Sequence, residues 1–89
     1  PALFSNITMK GTTDLEGALG GLVQLKRYLD TNYSDFITNA YNTNGNLPNF
    51  KIDVIGAAVQ NEYDVNGSPG VLATSISQLS DANKEQLIN

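Results

Sequence analysis

The 89-residue chain has no cysteine, no histidine and no tryptophan. Without cysteine there is neither a disulfide to staple the fold nor a thiolate to hold a metal. Without histidine the commonest metal ligand and the commonest general base at neutral pH are both missing. No metal site and no cofactor are expected. Charge is scarce as well, at 16% of residues, with five basic side chains against nine acidic ones and a formal net charge of −4. Lys10, Lys26, Arg27, Lys51 and Lys84 are scattered, which speaks against a phosphate-tracking surface and so against nucleic acid as a partner. No apolar run approaches the length of a membrane span of about 18 residues. The first residues lack the basic and then apolar order of a secretory signal.

What the chain has instead is neutral polarity. Eleven of its residues are Asn, and amides and hydroxyls suit hydrogen bonding to a fixed neighbour. No repeat, charge block or linker divides the sequence, so residues 1–89 are read as a single domain.

Ala2 to Met9 alternates as a short strand does, and Gly11 ends it. Leu15, Ala18, Leu19, Leu22, Leu25 and Leu29 recur at helical spacing and predict a helix over 14–30, with Thr13 and Glu16 as its capping box. Gly17, Gly20 and Gly21 fall inside that helix, where each costs about 1 kcal/mol relative to Ala. Close approach of another backbone would offset the cost, so these three are candidate interface residues. Ser34 caps a second, shorter helix that carries Phe36, Ile37, Ala40 and Tyr41 and stops before the turn signal Asn44-Gly45. Phe50 to Val59 reads as a central strand, extended on to Val65. Asn66-Gly67-Ser68-Pro69-Gly70 then turns the chain into a returning strand over 71–77, forming a hairpin. A final helix follows, capped by Ser80 or Asp81. The expected fold is therefore α+β, in the order β-α-α-β-β-α, with helices on a small, mostly antiparallel sheet of about three strands.

Motifs carrying chemistry are few. Asp64-Val65-Asn66-Gly67-Ser68 spaces oxygens like the first half of a calcium loop. Pro69 stands where that loop needs Gly and Ser75 where it needs Glu, so the stretch reads as a polar turn. The N-glycosylation triplets at Asn6, Asn32 and Asn66 are no more than an Asn-rich chain produces by chance. A free terminal Pro1 is a secondary amine able to act as a base. With Pro1, a strand and a helix in that order, the first third of the chain is similar to the 4-oxalocrotonate tautomerase family. The resemblance implies catalysis at Pro1 and a second strand after the helix. It lacks the family's arginine soon after the first strand, the only arginine being Arg27.

The reading that gathers most of these features is a non-enzymatic structural or interaction module. It would be a subunit or accessory protein of a larger assembly, such as a decoration or minor capsid protein of a phage or virus particle, located in the virion. Protein partners or self-assembly would engage Gly17, Gly20, Gly21, Tyr33, Tyr41 and Asn44. One alternative is a small enzyme using Pro1. Another is a small monomeric binding or inhibitory domain that contacts its partner through Tyr33, Tyr41 and the loop from Asn42 to Asn46.

Overall fold

A computed structural model describes residues 3–4, 21–44 and 49–88. All regular secondary structure among them is helical: α1 (Leu22–Asn32), α2 (Ser34–Asn44), α3 (Phe50–Asn66), α4 (Val71–Ser77) and α5 (Asp81–Ile88). The expected α+β sheet is thereby corrected. The two strands expected over 50–65 and 71–77 are α3 and α4, and the turn between them links two helices instead of closing a hairpin. The strand expected over 2–9 lies almost wholly outside the described residues. The second strand implied by the tautomerase resemblance is replaced by α2.

The reason is periodicity. Phe50, Ile52 and Val54 alternate, but the side chains that become buried are Phe50, Val54, Ala58 and Glu62, spaced one helical turn apart. The run Val54 to Val59 suits either a doubly covered strand or a helix. A helix satisfies its backbone N–H and C=O groups locally, with no neighbouring strand. Gly67, at φ 72°, ends α3 in the left-handed region and donates its N–H to the Tyr63 carbonyl at 2.8 Å. In α4, Leu72 and Ser75 face inward, followed by Leu79 just beyond its end.

Of the helix expected over 14–30, the part before residue 21, with its capping box at Thr13 and Glu16, lies outside the described residues. Gly21 sits at φ 138°, open to glycine and strained for other residues, and Leu22 begins α1. Tyr33 caps α1, donating its N–H to the Leu29 carbonyl at 3.0 Å, while its own carbonyl accepts the Ile37 N–H at 3.0 Å. α1 and α2 thus meet at a corner occupied by Tyr33. Ser80 starts α5, its Oγ accepting the Asn83 N–H at 3.3 Å and its carbonyl the Lys84 N–H at 2.9 Å.

The core is one cluster to which every helix contributes: Leu22, Leu25 and Leu29 from α1, Ile37 from α2, Val54 and Ala58 from α3, Leu72 from α4 and Leu87 from α5. Phe4 joins it fully buried. The N–H groups of Leu3 and Phe4 both donate to Asp30 Oδ1, at 2.8 and 2.9 Å, which ties this segment to the end of α1. The Lys51 amine lies 5.9 Å from the centre of the Phe4 ring.

Ser75 is a polar exception inside this core. It is 1% exposed, and its hydroxyl has no hydrogen-bond partner among the described residues. Leaving such a group unpaired costs about 1–3 kcal/mol. Ser75→Ala is therefore expected to raise stability by about 1 kcal/mol, read as a higher urea midpoint at unchanged slope.

Candidate functional site

The most concentrated chemistry lies around Glu62. Its carboxylate, 7% exposed, accepts hydrogen bonds from three separate elements. Tyr28, on α1, donates its hydroxyl to Oε2 at 2.6 Å. Tyr33, at the α1–α2 corner, donates to the same oxygen at 2.7 Å. The backbone N–H of Leu72, in the first turn of α4, donates to Oε1 at 2.9 Å.

Each part of this knot follows from its element. Glu62 is the last member of the buried row of α3. Tyr28 and Tyr33 bracket the end of α1, their rings 6.1 Å apart, and Tyr33 packs edge-on to Phe36 at 5.1 Å. The N-cap of α4 is Gly70, which offers no side chain, and its first turn holds no acid. Glu62 serves as that missing cap from another helix, pairing a free N–H and placing a negative charge at the positive end of α4. Gly70 is required by this contact: a Cβ there would stand 2.5 Å from Glu62 Oε1 and 2.8 Å from Glu62 Cβ. A cavity of about 340 Å³ opens beside the knot, bordered by Tyr28, Tyr33, Glu62 and Val71.

Burial by itself would push the Glu62 carboxyl upward. The hydrogen bonds from Tyr28, Tyr33 and Leu72 outweigh it, and the net shift is below the ordinary value of 4.5. Both phenols move up from their ordinary 10.0, through burial first and then through their bonds to the Glu62 anion. At neutral pH the anion and both protonated phenols are therefore held in their resting states. The arrangement works as a latch between α1, α3 and α4. Lys26, buried in the core, shifts the other way. Burial lowers its amine first, the neighbouring Lys51 charge lowers it further, and Asp30 partly offsets both.

The residues singled out in the sequence are dispersed. Pro1, Gly17 and Gly20 lie outside the described residues. Gly21 is buried at the start of α1, where its φ accounts for glycine. Tyr33 is 6% exposed and turned onto Glu62. Tyr41 stands 63% exposed on α2, its ring 6.3 Å from that of Phe50. Asn44 closes α2. Glu62, Tyr28 and Gly70 escaped sequence reasoning because Glu62 was placed on a strand. On a helix, its spacing of four from Ala58 and eight from Val54 would have marked it as an acid on the core face. No family model matches the sequence, and no curated protein or solved structure shows significant similarity to it.

Two outcomes are expected. Tyr33→Phe removes one donor to a buried anion and should cost about 1.5–3 kcal/mol in chemical denaturation, with Tyr28→Phe, at a half-buried site, costing less. The pH dependence follows from the shifts. The folded Glu62 carboxyl lies below its unfolded value, so its contribution is present above about pH 4.5 and is lost as pH falls through the lowered folded value. The phenols lie above theirs, so their contribution is complete below about pH 10 and is lost as pH rises beyond it. Thermal melts across pH should show both limbs, and Glu62→Gln should flatten the acid one.

Proposed function

We propose that this chain is a non-enzymatic interaction module that pairs with a second copy of itself through the outer face of α3. The supporting observation is an apolar stripe opposite the buried row of that helix. Ile52, Gly56, Val59 and Tyr63 are spaced by four, three and four residues, which puts them on one face. Ile52 is 48% and Tyr63 49% exposed, and Val59 is half-buried. Gly56 sits in the middle of a 17-residue helix with nothing within 4 Å of where a Cβ would be. Neither a turn nor an internal contact accounts for glycine there, and it costs helix stability of about 1 kcal/mol relative to Ala.

The spacing is self-complementary. An antiparallel pair with its two-fold axis between Ala57 and Ala58 sets Ile52 against the partner's Tyr63. The same register places Val59 over the partner's Gly56, a knob over an open position, as an isologous contact requires. Beside Ile52 the face continues into a cavity of about 210 Å³ between α3, α4 and α5, walled by Ile55, Ile76, Leu87 and Ile88 with Lys84 at its edge. This reading keeps the self-assembly expected from the sequence and moves the contact from the glycines before α1 to α3. The virus-particle setting came from composition, and nothing in the helical fold adds to it.

Light scattering over a concentration series tests the pairing. The mass should rise toward the dimer with concentration, and more readily in added salt, which screens the repulsion between two copies of charge −4. Ile52→Glu and Gly56→Leu should each hold the protein monomeric, while Gly56→Ala should stabilise the monomer by about 0.5–1 kcal/mol. A monomer at every concentration, or a dimer indifferent to both blocking substitutions, would overturn the proposal.

A further inference from the structure

We infer that the cavity beside Glu62 is a binding site for an alkylammonium group. The argument starts from charge. Glu62 is a buried carboxylate whose partners are two phenols and one backbone N–H, all neutral, and no cation pairs with it among the described residues. Such an ion is stabilised by its hydrogen bonds and by the start of α4, and no side-chain cation among the described residues offsets its charge.

The cavity presents what a cation needs. Its lining includes Tyr28, Tyr33, Asn61, Glu62, Asn66 and Val71. Each phenol spends its proton on Glu62, and the Tyr33 oxygen also takes a hydrogen bond from the Asn61 side chain, so the Tyr28 oxygen keeps the freer lone pairs as an acceptor. The two rings, tilted by 59° to one another, border the cavity, and an aromatic π system attracts a cation. Asn61 and Asn66 line the cavity with side-chain amides, and Val71 gives an apolar wall for the carbon chain of a ligand. Acceptors, aromatic rings and a nearby anion together favour a positively charged donor over an anion or a neutral acceptor. A volume of about 340 Å³ lies at the small end of ligand pockets. It suits an amine with a few carbons, either free or as the end of a lysine side chain. The site is separate from the outer face of α3 and does not depend on self-pairing.

Titration of the full chain, followed by NMR, tests the inference. The probes are n-butylammonium chloride and N-acetyl-lysine amide, with n-butanol as the neutral isostere and sodium chloride at matched ionic strength. Saturable shifts of the Tyr28 and Tyr33 ring signals and of the Leu72 amide are expected with the ammonium probes alone. Tighter binding of the lysine probe points to a protein side chain as the natural source, and tighter binding of n-butylammonium to a free amine. Asn66→Lys, at an exposed position on the cavity rim, places a competing cation there and should weaken binding about tenfold or more. Glu62→Gln, which removes the anion, should do the same. Because Glu62→Gln could unfold the knot, Asn66→Lys carries the decision. Equal shifts with sodium chloride or n-butanol, or unchanged affinity in Asn66→Lys, would overturn the site.

Discussion

One buried carboxylate constrains this small fold. With no disulfide and a thin core, the helices need a link that is stronger than apolar contact and more specific in direction. Glu62 supplies it by drawing donors from α1, from the α1–α2 corner and from the start of α4. An anion in this position cannot be left half-satisfied. Moving any one of those elements therefore exposes the charge to an unpaired, poorly solvated state. The need explains features that look unrelated in the sequence: a glycine at position 70, a pair of tyrosines five residues apart, and a short helix with no cap of its own.

The same device recurs close by, in the last turn of α1. Asp30 gathers the consecutive N–H groups of Leu3 and Phe4 and seats the Phe4 ring in the core. In a chain with few charges, two carboxylates are thus spent on holding backbone and not on solvation. Charge-assisted hydrogen bonds are the stronger kind, and a bond from a fixed backbone N–H restrains position as well as energy.

The latch also bears on the proposed pairing. By fixing the inner row of α3 it orients the outer row, so Ile52, Gly56, Val59 and Tyr63 are presented on a rigid helix. A surface on a rigid element loses little freedom when it docks, which favours association. The cavity by the latch is bordered by the same side chains, with Tyr28 and Tyr33 on one side and the end of α3 on the other.

How much of this was legible depends on the element. The second helix and the last helix were readable because Ser34 and Ser80 mark their starts and the Asn44-Gly45 signal follows the former. The turn over 66–70 was readable too, since Gly67 needs a left-handed φ whichever elements flank it. α3 and α4 were not. Val, Ile and Thr favour strands locally, and the run from Val54 to Val59 fits both periods, so short-range preference and the final fold disagree there. The sequence by itself determined the absence of cysteine and histidine chemistry, the left-handed turn at Gly67 and the starts of two helices, because each of these depends on composition or on a few adjacent residues. Only the tertiary structure decided that residues 50–77 are helical and that Tyr28, Tyr33, Glu62 and Gly70 meet. Their separations along the chain are bridged by packing, and a buried charge selects the one arrangement that satisfies it.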